Sequence, residues 1–341
     1  HHEEIAMRIP STCLLLFVSL ATTVVQAQSL APPHSRLVAG EPVVVTAHPD
    51  QAFLLQQADP QLATNKRRVY DFWRTVILAG RTDTMDRYLA EDFVEHNPLL
   101  PSGRQAFTDY ISSRTTPQDI PAEIPDLVTL VAEGPYVVMA TVTHYPEADG
   151  TGTYTSTHFE MFRLDAGLIA EHWDSWLFRS DQRVPNYGAN AARPVLGITG
   201  TAQFDQLYSD DPDLFVAKRL VFDLWRHIPE SGREELADLF MDPIYIQHNP
   251  NAATGRDGAV AYFSNRPDTP ISTTLEAPLV AMIAEGDLVV QVLETDREQN
   301  GVNYKVPWFD MFRLENGRVI EHWDTASKGE LPPIMQGLPL P

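Results

Sequence analysis

Apolar residues at Val69, Phe72, Trp73, Val76 and Ile77 fall on one stripe of a helix that Asp59-Pro60 opens. A short second helix is predicted after Gly80, carrying Met85, Tyr88 and Leu89. Phe93-Val94-Glu95-His96 reads as a brief extended piece, stopped by Asn97-Pro98. Ser102-Gly103-Arg104 starts a third helix through Phe107, Tyr110 and Ile111. After Pro125 the pattern becomes that of strands: 127–132, 136–144, 154–164 and 168–177, with turns at Gly134, Gly150, Gly152 and Gly167. Helices followed by a run of antiparallel strands define the α+β class.

The same order occurs twice. Asp59-Pro60-Gln61-Leu62 recurs as Asp211-Pro212-Asp213-Leu214, Asp71-Phe72-Trp73-Arg74 as Asp223-Leu224-Trp225-Arg226, His96-Asn97-Pro98 as His248-Asn249-Pro250, and Gly103-Arg104 as Gly255-Arg256, always 152 residues on. Phe159-Glu160-Met161-Phe162-Arg163-Leu164 then recurs as Phe309-Asp310-Met311-Phe312-Arg313-Leu314, and Glu171-His172-Trp173-Asp174 as Glu321-His322-Trp323-Asp324, now 150 on. One two-residue deletion, expected in the turn 146–152, accounts for the change. So long a period describes two whole domains rather than a solenoid.

The expected organisation is upstream residues and a secretion signal over 1–27, a leader over 28–48, one domain over 49–178, a linker over 179–199, a second domain over 200–328 and a tail over 329–341. The signal rests on Met7-Arg8, an apolar run from Cys13 to Val25 and a small-residue cleavage site near Ala27. It implies a secreted or periplasmic protein. Cys13 is the one cysteine, so removing the signal leaves no thiol nucleophile, disulfide or thiolate ligand. A net charge of −21 repels phosphate backbones and anionic lipid, so neither nucleic acid nor, once the signal is removed, membrane is an expected partner.

The helices, the His-Asn-Pro turn and the hairpins ending in Phe-(Glu/Asp)-Met-Phe-Arg-Leu and Glu-His-Trp-Asp resemble the SnoaL-like polyketide cyclases of the nuclear transport factor 2-like superfamily. The resemblance spans both copies. It implies two cone-shaped domains, each a curved antiparallel sheet wrapped by about three helices. Family members include cofactor-free aldol cyclases, isomerases, dehydratases and plain ligand binders. The family's acid/base residue is the Asp of the final strand, here Asp174 and Asp324.

Strand alternation puts His172 with Asp174, and His322 with Asp324, on one face. On the preceding strand His158, Glu160 and Phe162 share a face, as do Trp308, Asp310 and Phe312. A carboxylate in an apolar cone is pushed toward a neutral pKa and can move a proton next to a carbonyl. The expectation is therefore acid/base enolisation of a small hydrophobic carbonyl compound, as in aldol-type cyclisation or isomerisation, without a cofactor. Asp174 and Asp324 are the expected bases, with His96, His172, His248 and His322 as donors or orienters. His158, Glu160, Phe162, Trp73, Trp308, Asp310, Phe312 and Trp225 are the expected substrate contacts. Structural readings stand beside these: a turn-capping role for His96 and His248, and mutual satisfaction of His and carboxylate in the core. The rivals are a non-catalytic carrier and a metal site built from His96, His158, His172, Asp174 and Glu160; no metal is expected. The stripe Phe159, Met161, Trp173 and Trp176, with Phe309, Met311 and Trp323, suits an intrachain pseudo-dimer that leaves a monomer in solution.

Overall fold

The computed structural model describes residues 29–33, 37–38, 40–176 and 182–330. The expected signal, its cysteine, the end of the 168–177 strand and most of the tail lie outside these residues.

The first copy contains α1 (Gln51–Leu54), α2 (Pro60–Phe72), β1 (Leu89–Glu95), α3 (Arg104–Ser112), β2 (Leu127–Glu133), β3 (Tyr136–Pro146), β4 (Thr153–Asp165) and β5 (Leu168–Asp174). The second contains α4 (Pro212–His227), α5 (Ala237–Phe240), β6 (Met241–Gln247), α6 (Arg256–Phe263), β7 (Leu279–Glu285), β8 (Leu288–Gln299), β9 (Val302–Glu315) and β10 (Arg318–Asp324). Asp59 caps α2 by accepting from the Gln61 and Leu62 amides, and Asp211 caps α4 through the Asp213 amide. The predicted stripe runs beyond α2: Val69 and Phe72 are buried on it and Val76 on the π-helical turn Trp73–Leu78 that continues it, while Trp73 and Ile77 are half-buried. The second helix is a 3-10 turn over Thr82–Arg87; Leu89 already belongs to β1, because the Tyr88 carbonyl accepts from Ile169 of β5.

Each copy forms one five-stranded sheet, ordered β1-β5-β4-β3-β2 and β6-β10-β9-β8-β7. All neighbours are antiparallel except β1 with β5 and β6 with β10. The length difference between the copies sits where the change of offset placed it. β3 and β4 are joined by residues 147–152, whereas Asn300-Gly301, both at positive φ, turn β8 directly into β9.

One face of each sheet carries helices and the other meets the partner copy. Phe159 stacks flat on Phe309 with ring centroids 5.4 Å apart, and Met161, Met311 and Trp323 are buried in the same cluster. Thr325 donates to the Thr157 carbonyl and Ala326 to the Ser156 hydroxyl. The edge strands β2 and β7 face one another across two reciprocal ion pairs, Lys66 with Glu285 and Lys218 with Glu133. Each glutamate also accepts a backbone N–H of the opposite edge, Ala132 to Glu285 at 2.6 Å and Ala284 to Glu133 at 2.8 Å. Charged side chains therefore occupy edge groups that would otherwise invite further strands.

The segments before each copy cross over. The Val43 amide donates to the Gln247 carbonyl at the end of β6, and the Arg193 amide to the Glu95 carbonyl at the end of β1. Val45 then returns to Thr155 on β4, and Val195 to the Lys305 carbonyl on β9. As structural units the repeats thus reach back into the expected leader and linker, to about residues 43 and 193.

Candidate active site

Gly103 and Gly255 explain why Gly-Arg recurs. Both hold φ near +90° (87° and 103°), a region open chiefly to glycine, and their amides close back onto Phe93 and Tyr245 of β1 and β6. That closure sets the His-Asn-Pro turn at the mouth of each sheet. Pro98 has no N–H, so the Asn97 side-chain oxygen takes the next amide, Leu99, at 2.8 Å. The Asn97 amide nitrogen is thereby aimed at Asp174 and donates to its Oδ2 at 2.7 Å. Asn249 repeats this, accepting from Asn251 and donating to Asp324 at 2.7 Å.

The predicted alternation holds. Glu160 lies directly opposite Asp174 in the β4–β5 ladder, and Asp310 opposite Asp324 in the β9–β10 ladder. In the first copy His172 is clamped between two carboxylates, Nδ1 at 2.9 Å from Glu95 and Nε2 at 2.6 Å from Glu160. His158 reaches the other Glu160 oxygen at 2.9 Å and the Ser175 hydroxyl at 3.2 Å. Phe162 stacks on His172, and Trp73 meets Phe162 edge-on. Asp174 Oδ1 is buried without a hydrogen-bond partner.

These contacts separate the charges. Burial opposes protonation of His172, but Glu95 and Glu160 outweigh it and raise its pKa well above the usual value. Burial likewise works against His158, which Glu160 nevertheless raises. Glu160 resists its own burial through the two histidines and is held down to about 2. Asp174, desolvated first and then repelled by Glu160, is pushed up to about 7. The first copy's cluster thus sets a histidine that favours its charged form beside a carboxylate poised to exchange a proton.

The second copy keeps the frame and loses the charge. Gln247 stands where Glu95 does, and Trp308 where His158 does. Gln247 Oε1 accepts from the Asn249 amide, which leaves it an acceptor for His322 Nδ1–H at 3.0 Å. His322 Nε2 meets Asp310 at 3.1 Å. Burial lowers the His322 pKa and raises that of Asp310 well above its usual value, so both groups favour their uncharged forms. Burial pushes Asp324 up to about 6. Trp225, Trp308, Asp310, Phe312, His322 and Asp324 all line one cavity.

His96 and His248 are not brought to these pockets. The chain alternates through the turn, so Glu95 and Asn97 face inward and His96 outward. His96 stacks on Trp173 at 4.5 Å, and its ring nitrogens meet Glu171 and the Arg193 carbonyl. His248 does the same with Trp323, Glu321 and the Val43 carbonyl. Their place is between sheet and crossing arm, which gives no route to a donor role. The residues overlooked in sequence are their neighbours Glu95, Asn97, Gln247 and Asn249; the period-two rule used for His172 and Asp174 finds them.

His158, Glu160 and Asp174, and separately Asp310, His322 and Asp324, each offer ligand atoms within 4.8 Å of one another and could hold a small divalent ion. In the first group Glu160 is already saturated by two histidines.

Changing Glu95 to Gln, the second copy's residue, removes one carboxylate from His172. The His172 pKa is expected to fall toward the neutral range, readable from its imidazole NMR shifts against pH. A ring still protonated in strongly alkaline solution in that variant would contradict this account of the clamp.

A family model described as a SnoaL-like domain matches residues 66–172 and 221–322. A search of curated proteins finds no match. Among solved structures, a candidate polyketide cyclase from Acidithiobacillus ferrooxidans is 19% identical over 33% of this chain and 86% of its own, with a TM-score of 0.24. A second, from Xanthomonas campestris, is 22% identical over 33% and 90%, at 0.25. An LEH-like epoxide hydrolase from M. tuberculosis is 16% identical over 34% and 84%, also at 0.25.

Proposed function

Because the chain belongs, through both of its copies, to the SnoaL-like domain family, we propose that its first pocket is the active site of a cofactor-free acid/base enzyme that enolises a small carbonyl compound. The observation that carries this is Asp174: one oxygen is held by Asn97, the other is buried and unpaired, and the pKa lies near 7. Such a carboxylate can take a proton from the carbon beside a carbonyl at neutral pH and return it elsewhere. The charge that then grows on the carbonyl oxygen needs a cationic or N–H partner. His158 is suited to this, since its side chain keeps 30% exposure while Glu160 and Ser175 fix the ring. His172 is enclosed by its two carboxylates and acts as a positioning residue, supplying the positive charge that keeps Glu160 ionised. Trp73 and Phe162 are proposed as the apolar contacts for the substrate. With the outer sheet faces used between copies, the working unit is proposed to be a monomer, exported as the N-terminal pattern implies.

The test is deuterium uptake at the α-carbon of activated ketones and 1,3-dicarbonyls in heavy water. Uptake is expected to rise with pH and level off above about 7, as Asp174 loses its proton. Exchange no faster than buffer throughout that range would overturn the proposal. A binder that carries such molecules unchanged, the reading that the same cone permits, gives saturable binding with no exchange.

A further inference from the structure

Asp310, His322 and Asp324 are 1%, 7% and 4% exposed. Asp324 Oδ1 is buried without a hydrogen-bond partner, and Asp310 Oδ2 has none of good geometry. Gln247 decides what the ring between them can do. Its Oε1 accepts from the Asn249 amide at 2.9 Å, so it stands as an acceptor, and the His322 nitrogen 3.0 Å away, Nδ1, carries hydrogen. The neutral ring of that tautomer keeps its lone pair on Nε2, which lies 3.1 Å from Asp310 Oδ1. Two acceptors so close need a cation between them, a proton or a metal ion. A histidine that ligates a metal gives its other N–H to just such an oxygen, which fixes the ring. Asn249 serves Asp324 in the same way: it holds Oδ2 at 2.7 Å and leaves Oδ1 free.

Space remains for the rest of a coordination shell. One ligand atom from each of the three residues lies within 4.8 Å of the other two. The cavity they border measures about 30 Å³, and a water needs ~10–15 Å³, so it has room for two or three waters. The Tyr262 hydroxyl borders the same cavity, 6% exposed and unpaired, and can bond to such a water. One imidazole and two carboxylates with open positions for water suit a divalent first-row ion such as manganese, iron or zinc; calcium prefers oxygen alone. We propose that Asp310, His322 and Asp324 form a divalent transition-metal site in the second copy, completed by water, which the resemblance to cofactor-free cyclases does not imply. The first copy does not repeat it. There Glu95 replaces Gln247, both nitrogens of His172 face carboxylates, and both oxygens of Glu160 are taken by histidines. The site does not rest on turnover in the first pocket, so either reading can fail alone.

Mn²⁺ is the probe, titrated into the full chain after chelation and desalting, with the loss of its free-ion EPR signal as the readout. Saturation at one ion per chain is expected, in the micromolar range, with Zn²⁺ displacing Mn²⁺. Asp310→Asn, close to isosteric, should abolish saturable binding below ~1 mM. Gln247→Glu installs the first copy's residue, places a second carboxylate on the ring and should weaken binding about 10–100-fold. The ion should raise the unfolding temperature of the parent chain and of neither variant. Binding should persist in Asp174→Asn. An absence of saturable binding of Mn²⁺ and Zn²⁺ at ~1 mM would overturn the proposal. So would binding unaltered in both second-copy variants, the behaviour of ions held by surface carboxylates of a chain with a net charge of −21. Loss of the ion in Asp174→Asn, with Asp310→Asn still binding, would place it in the first copy and overturn the proposal as well.

Discussion

Asp174→Asn is expected to lower α-proton exchange by roughly 10²–10⁴-fold, the usual worth of a positioned general base, and at the same time to make the protein more stable. The sign follows from linkage. The folded pKa of Asp174, about 7, lies above the ordinary 3.8, so between these values the native state holds a proton that the unfolded chain has released. Stability therefore falls as pH rises through that window, and the whole cost of the buried charge is present above it. Asparagine never ionises, and its amide oxygen can still accept from Asn97. The gain should be nil near pH 4 and greatest above pH 7, where the rise to about 7 bounds it at about 4 kcal/mol. Denaturant melts of both proteins across pH measure it. Equal stabilities at pH 8 would mean that Asp174 is not desolvated in solution. Asp324→Asn, in the copy that has Gln247 and Trp308 in place of Glu95 and His158, should leave the exchange in place.

The second large effect lies at the junction of the copies. Glu285→Ala removes the partner of Lys66, whose ammonium is wholly buried, and strips the acceptor from the Ala132 amide. Breaking a buried pair on one side typically costs about 3–5 kcal/mol, a large part of the ~5–15 kcal/mol that holds a domain together. Lys66 keeps only the Leu54 carbonyl, at 3.0 Å. Removing both charges with Lys66→Met and Glu285→Leu should recover most of the loss, since the penalty belongs to the stranded charge. Chemical denaturation of the three variants decides it. A double variant as unstable as Glu285→Ala would show that the pair itself, rather than the orphaned lysine, supplies the stability.

Much of this was legible from periodicity. The helical stripe, the four antiparallel strands and the alternation that unites Glu160 with Asp174 follow from side-chain geometry, which is local. Repetition across two copies located the hairpin deletion to within its turn. The histidine of His-Asn-Pro was misread because residue type drew attention ahead of phase. Histidine is the commoner catalytic group, yet the turn sends it outward and presents Glu95 and Asn97 instead. The crossing arms left no trace, since Val43 and Arg193 act through backbone amides and carbonyls that any residue supplies. The Lys66–Glu285 pair was legible only as repetition: Lys66 recurs as Lys218 and Glu133 as Glu285, but nothing local joins residues 219 apart.

The exchange of arms also bears on the order in which the molecule can be completed. The β1 edge of the first copy receives its cover from Arg193, which is made only after all the first copy's strands. The β6 edge of the second is covered by Val43, made about 200 residues before it. Each half is thus finished by a piece of the other, and contacts of such sequence separation form slowly. A nascent chain halted after the first copy would present an open strand edge and a half-empty apolar face. The first half therefore has no complete state to reach until the arm that precedes the second copy has been made.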